Sequence, residues 1–431
     1  MNTHAVRRWI DRTCFALATT AVVGLGFVQG GISLTLSLLA LGLGPVSVLN
    51  ATVASLSFAA TLVASGGVFV TEVLREGRRR PLPTDGPTVA AVVPSYGDAT
   101  ALHRSVESLL AADYRPVEVS VVCEPGDEAT VATARELAQR DDRVAVRVND
   151  RNPGSKAAAV NYAVESVDAP LVGVFDADER VHPSFLCAAV ARLDDAEAVQ
   201  GRTFPRPDGP LETVTYYESV VLGYLTHRLV SYLTGFDMVA SNALVMERDT
   251  YDDLGGYDPA MLTEDFDFAF RCYEAGVRVH SCFAYPSEIE GAHTLGDWWG
   301  QRKRWMTGYA QVFHRLLGRF DPFGRPRTIV STLFCGGALA GNFAILSIVS
   351  QVAVLARAGV PWVVAALLCS VWAVTLATRL LDVRAGVVDR VGVGWLFVPL
   401  TLPLYSLAAI KGIVEYPISW EGEWFRVEKE G

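Results

Sequence analysis

The chain has 431 residues and a formal net charge of −10, and that charge is unevenly spread. Residues 13–71 contain no Asp, Glu, Lys, Arg or His, and neither do 328–356, 358–378 or 391–410, runs of 59, 29, 21 and 20 residues. Each run is long enough to cross a bilayer, which excludes a wholly water-soluble protein. A bare channel is excluded too, because residues 81–327 hold 23 Lys plus Arg against 37 Asp plus Glu, a net of −14.

The acidic middle region argues against nucleic acid as a partner, since phosphate binding needs a basic footprint. Seven scattered cysteines without a CxxC pair suggest neither a disulfide framework nor a zinc site. Only 4 lysines stand against 33 arginines. An acidic surface is tolerable in high salt, so the composition resembles a halophile's, although arginine richness also follows from codon usage.

In chain order, Arg7, Arg8 and Arg12 precede an apolar stretch too long for a cleaved signal peptide. Turn punctuation near Gly42–Pro45 and Asn50 divides it into crossings within 14–43 and 51–73. Arg75, Arg78, Arg79 and Arg80 follow and are expected on the cytoplasmic side. Residues 1–80 therefore form an N-terminal membrane region with two transmembrane helices.

Residues 86–247 alternate short apolar runs with helical ones. Strands are expected at 89–94, 117–123, 144–148, 171–175 and 199–203, and helices near 100–111, 129–139, 155–167 and 184–194. This alternation predicts an α/β domain whose mostly parallel sheet is covered on both faces. Ligands bind such sheets beyond the carboxyl ends of the strands. The residues there are Pro94–Ser95–Tyr96–Gly97–Asp98 after the first strand, Glu124 to Asp127 after the second, and Asp176–Ala177–Asp178–Glu179 after the fourth.

Gly, Pro and Asp are ordinary turn residues, but the Asp176/Asp178 pair suits a diphosphate ligand. Two anions meet only with a cation between them, and Mg²⁺ or Mn²⁺ matches an all-oxygen donor set. Thr263–Glu264–Asp265–Phe266–Asp267 opens a helix running through Glu274. Thr263 serves as its N-cap on the structural reading, whereas the chemical reading makes Asp265 a general base.

Residues 295–317 form an amphipathic stretch containing Gln301–Arg302–Lys303–Arg304–Trp305. It reads as a membrane-surface helix with aromatics at the headgroups and basic groups at lipid phosphates. An arginine for a diphosphate and a tryptophan face for a sugar are compatible with that placement. Residues 81–327 are thus expected as one cytoplasmic domain including this helix. Residues 328–431 add crossings at about 330–355, 360–380 and 392–413, with Arg379, Arg384 and Arg390 in a cytoplasmic loop and Trp420 and Trp424 in a short tail.

The ordered set PSYGD, SKAAAVN, DADE, TEDFD and QRKRW resembles the membrane-bound family 2 glycosyltransferases, the class that includes cellulose and hyaluronan synthases. The resemblance spans about residues 88–312 and implies a GT-A fold, with inversion at the sugar carbon in one displacement. It implies that Ser95, Tyr96 and Asp98 contact the nucleoside, with Glu124 standing where the family has an aspartate near the base. Lys156 and Asp176 would lie at the nucleotide, Asp178 would hold the metal, and Asp265 would be the catalytic base. Arg304 would meet the diphosphate; Ser241, Asn242, Glu264, Gln301 and Trp305 would line the acceptor site.

The implied activity moves a sugar from a nucleotide-diphospho-sugar, UDP-linked by preference, to a hydroxyl of a growing polysaccharide at the cytoplasmic membrane face. Single transfer to a lipid-linked glycan or polyprenyl phosphate is the alternative. An inactive membrane scaffold or transporter is the alternative of another class.

Overall fold

The computed structural model describes residues 9, 11–17, 19–21, 45–76 and 82–420. Most of the expected first crossing lies outside the described residues, as do Arg78 to Arg80 and Trp424. The described residues form two compact units, one comprising those of Val70–Asp208 and Gly235–His293, the other those up to Phe69, Gly209–Thr234 and residues 294–420.

The first unit is built on a seven-stranded sheet. Its strands are β1 (Val89–Ser95), β2 (Val117–Cys123), β3 (Val144–Val148), β4 (Leu171–Val174), β5 (Ala198–Pro205), β6 (Leu244–Glu247) and β7 (Val279–Ile289), in spatial order β3-β2-β1-β4-β6-β5-β7. β1 pairs in parallel with β2 and β4, β2 with β3, and β5 with β7. Only β6 runs the other way, antiparallel to both β4 and β5. The mostly parallel α/β sheet is as the sequence pattern predicts. Its central strands are apolar without alternation because helices cover both faces, and Val89 to Val93 are all fully buried.

Local chemistry sets the covering helices. Asp127 caps Glu128–Arg140 by accepting from the Thr130 amide at 3.2 Å, and Ser155 caps Lys156–Glu165 by accepting from Ala158 at 3.1 Å. Each side chain satisfies an amide that lacks an intrahelical partner. Helix Glu264–Ala275 ends at Gly276 with φ of 89°, the left-handed closure glycine permits.

The second unit is helical. Among the described residues, four helices are long and apolar enough to span a bilayer: Ser47–Glu76, Arg327–Arg357, Pro361–Arg384 and Gly394–Ser419. They correspond to the expected crossings at 51–73, 330–355, 360–380 and 392–413, each somewhat longer than the crossing expected. Helix Leu295–Gly318 packs in the same unit. A Cβ on Gly412 would strike the Lys303 carbonyl oxygen and the Thr307 side chain, so glycine permits that close helix crossing.

Two stretches stand out among the elements that the sequence pattern does not announce. β7 is one, an 11-residue strand at the sheet's edge. The other is residues 210–234, an α–π–α run of Pro210–Glu218, Ser219–Leu225 and Thr226–Thr234 that belongs to the helical unit.

Candidate active site

One edge of the sheet gathers most of the expected site residues. Six strands end there, and because β6 is reversed, the residues preceding it arrive at that edge. Asp176, just past β4, therefore meets Asn242, just before β6: Asn242 Nδ2 donates to Asp176 Oδ2 at 2.9 Å. The other carboxylate oxygen takes Lys156 Nζ at 2.5 Å. Burial pulls the Lys156 pKa down, but the charges of Asp176, Glu264 and Asp265 outweigh it and hold the ammonium above its ordinary value. The same three carboxylates thus lie within electrostatic reach of one cation.

Ser241 Oγ donates to Glu264 Oε1 at 3.0 Å, joining the loop before β6 to the first turn of helix Glu264–Ala275. Asp265, the next residue, is half-buried, and its carboxylate accepts from the Phe266 amide at 2.8 Å. Thr263 occupies the N-cap position, yet its hydroxyl makes no capping bond. Asp267 is fully buried and pairs with Arg271 at 2.8 Å, and Arg271 in turn donates to the Leu254 and Gly256 carbonyls at 2.7 Å each.

The loop after β1 is held by carboxylates that accept from its backbone. Asp98 Oδ2 accepts from the Tyr96 amide at 3.0 Å, Asp127 Oδ2 accepts from the Gly97 amide, and Thr130 Oγ1 accepts from the Asp98 amide at 3.2 Å. Gly97 has φ of 66°, which glycine adopts without strain. Asp98 and Ser95 are buried, while Tyr96 is 55% exposed and offers its ring as a face. Glu124, after β2, accepts from the Gly154 amide at 2.7 Å and from Asn149 Nδ2 at 3.4 Å. It thereby fixes the loop that delivers Lys156.

Sequence reasoning missed three members of this scaffold. Asn161, inside SKAAAVN, accepts from Tyr251 OH at 2.6 Å and the Tyr257 amide at 3.0 Å, and donates to the Tyr257 carbonyl at 2.8 Å. Gln200 on β5 accepts from the Ala240 amide at 2.7 Å and donates to the Asn242 carbonyl at 2.8 Å. Glu179, the last residue of DADE, is fully buried; burial and then the Asp176 charge push its carboxyl up to about 8. A run of polar letters gave no signal for which would turn inward.

Gln301, Arg304 and Trp305 belong to the helical unit and lie half-buried on helix Leu295–Gly318. Arg302 between them is 1% exposed and donates from Nε to Glu218 Oε1 at 2.8 Å; Trp298 Nε1 donates to Glu218 Oε2 at 2.8 Å. The Arg302 guanidinium sits 5.2 Å from the Trp298 ring centroid and 4.9 Å from that of Trp305, and it donates to Gln301 Oε1. Lys303 pairs with Glu415 at 2.9 Å. Arg302 and Lys303, expected at lipid phosphates, thus engage protein carboxylates.

Could the residues present hold a divalent ion? No group of three or more His, Cys, Asp or Glu converges among the described residues. Asp178, buried at 6% exposure, is a hard oxygen donor beside Asp176. Mg²⁺ and Mn²⁺ are commonly held by one or two carboxylates plus substrate phosphates, so the donor set fits an ion that arrives with its diphosphate.

This arrangement defines the class of protein: a GT-A domain carrying transmembrane helices. The fold is shared with a mannosyltransferase from Pyrobaculum calidifontis solved in complex with GDP-Man and Mn²⁺, at 18% identity and a TM-score of 0.53 over 84% of this chain and 99% of that one. The profile of Glycosyltransferase like family 2 matches residues 87–308, and the chain belongs to that family. Curated relatives include a beta-monoglucosyldiacylglycerol synthase from Synechocystis, 25% identical over 53% of this chain and 49% of the relative. A poly-beta-1,6-N-acetyl-D-glucosamine synthase from Staphylococcus aureus is 21% identical over 51% of this chain and 54% of its own length. The chain thus spans about half the length of these two relatives.

Proposed function

We propose that this family 2 glycosyltransferase moves a sugar from a nucleotide-diphospho-sugar to a hydroxyl of a growing glycan at the cytoplasmic face of a membrane. The observation that carries the reading is the convergence of Lys156, Asp176, Asn242, Ser241 and Glu264 on one sheet edge, with Asp265 next in the chain. Lys156 neutralises part of the charge that Asp176, Glu264 and Asp265 bring there, so that an anionic donor can approach.

In this reading Ser95, Tyr96, Asp98 and Glu124 frame the nucleoside. Asp265 takes the proton of the acceptor hydroxyl, whose oxygen attacks the anomeric carbon as the bond to the diphosphate breaks, inverting configuration. Asp178 would hold Mg²⁺ or Mn²⁺, which when bound offsets the charge of the departing diphosphate. The family resemblance assigns Arg304 to the diphosphate, and Gln301 and Trp305 to the acceptor. The tract 81–327, with the helix at 295–318, is read as the cytoplasmic transferase, and 1–80 and 328–431 as its membrane regions.

A second reading, transfer of a single sugar to a membrane lipid, is supported by the relative named as a beta-monoglucosyldiacylglycerol synthase. Product length with radiolabelled UDP- and GDP-sugars separates the two, since single-sugar products sink polymerisation. Asp265→Asn is expected to lower turnover at least about 10²-fold with nucleotide binding kept. Asp178→Asn is expected to weaken binding of UDP or GDP in the presence of MnCl₂. An Asp265→Asn enzyme with normal turnover overturns the base assignment.

A further inference from the structure

Glu179 closes the turn that carries the proposed metal ligand, and it does so from both sides. Its amide donates to the Asp176 carbonyl at 3.1 Å, and its Oε2 accepts from the Asp176 amide at 3.1 Å. Asp176, Ala177 and Asp178 are therefore pinned at both ends of a four-residue turn. The same Oε2 accepts from the Ala243 amide at 3.2 Å, in the loop that enters β6. Arg180, the next residue, exchanges backbone bonds with Glu288 on β7 at 2.7 and 3.0 Å, so the turn cannot drift from the sheet.

Ala243 makes this second contact informative. Its φ is +41°, in the left-handed region that strains a residue carrying a Cβ. Such a conformation persists only where its surroundings hold it. The Ala243 amide is fixed by Glu179, and its carbonyl accepts from the Gly201 amide at 2.7 Å. The strained residue immediately follows Asn242, whose side chain reaches Asp176. One buried carboxylate thus ties the donor-side turn to the acceptor-side loop.

We infer that Glu179 is a positioning residue of the transferase site, setting Asp178 and Asn242 in register by accepting from the Asp176 and Ala243 amides. The inference rests on the functional reading above and deepens it. What matters is one oxygen with the reach of a glutamate side chain. Glutamine offers that oxygen at the same distance; aspartate keeps the charge but is one methylene too short to serve both amides.

Binding of UDP and of GDP, measured by calorimetry in a titration of MnCl₂ on the full-length protein in detergent, tests this without turnover. Supporting shells around metal ligands typically change metal affinity about 10- to 100-fold when lost. Glu179→Asp is accordingly expected to raise the half-saturating Mn²⁺ at least about 10-fold, with Glu179→Gln staying close to wild type. A shift for neither variant overturns the inference, and so does a shift for Glu179→Gln as large as that for Glu179→Asp or larger, which would show that more than reach counts. If wild-type protein bound neither UDP nor GDP with Mn²⁺, the functional reading itself would fall and the inference with it. Wild-type binding with an unaltered Glu179→Asp sinks the inference alone.

Discussion

The strand-end loops of the sheet unit and the helices of the other unit satisfy their carboxylates by different means. In the strand-end loops Glu179, Glu124, Asp98 and Asp127 accept mainly from backbone amides, whereas Asp176 and Asp267 of the same unit also pair with the side chains of Lys156 and Arg271. In the helical unit Glu218, Glu415, Asp382 and Asp11 meet side chains: Arg302 and Trp298, Lys303, Tyr216, and His314. The difference follows from backbone bookkeeping. Loops at a strand end leave amides unpaired, whereas a helix interior uses its own amides and leaves only side chains to offer. A backbone donor is supplied by any residue except proline, so the sheet-edge contacts constrain one partner only. Side-chain pairs constrain both, and only they are open to compensation by a second substitution.

The largest test of that contrast is Glu218→Leu. It leaves a buried guanidinium and an indole N–H without their acceptor, and stability should fall by about 3–5 kcal/mol. Adding Arg302→Met should return most of that loss, read as melting temperature in detergent. A single variant that melts like wild type would break the comparison. The sheet unit has its sensitive point at a glycine instead. A Cβ on Gly201 would approach Phe185 at 2.6 Å and Ala243 at 2.9 Å, so Gly201→Ala should cost about 1–3 kcal/mol by overpacking. Denaturant unfolding of Glu218→Leu and Gly201→Ala would show whether the loss in the helical unit is the larger of the two.

The smallest effect sharpens the rule that pairs matter when buried. Asp141 pairs with Arg143 at the surface of the sheet unit, where the Arg143 side-chain and backbone hydrogen bonds hold its carboxyl down to about 2. A depressed carboxyl contributes stability above its unfolded pKa and loses it as pH falls through the folded one. The contribution is therefore present above about pH 4 and lost toward about pH 2. Asp141→Asn should flatten that acid limb slightly in pH-dependent melting curves. A slope as steep as wild type would show that Asp141 is not among its sources.

How much of this was legible beforehand depended on whether the signal was local. β1 and β4 were readable because strands buried on both faces are continuously apolar, and β2, β3 and β5 because they alternate with helical stretches. β7 was not, since VHSCFAYPSEI mixes polar residues and contains Pro286, which a strand tolerates at a sheet edge or irregularity. Residues 210–234 were unreadable for another reason. Tyr and β-branched residues favour strands, and packing against the helical unit overrides that preference, as with Tyr216 on Asp382 and the Leu229 amide on Ser65 Oγ at 3.2 Å. The motif letters named Asp176, Asn242 and Glu264, which the fold brings to one sheet edge. Glu179 stayed hidden because its partners are amides, which have no letter.

The reversal of β6 carries one more consequence. The chain reaches the ligand edge before that strand and leaves it at Glu247, whose amide donates to the Glu197 carbonyl at the opposite edge. Asp194 and Asp195, exposed just ahead of β5, lie at that same far edge. Reporter domains or changes of loop length belong there, because the strands begin at that edge and the bound sugar nucleotide would sit where they end.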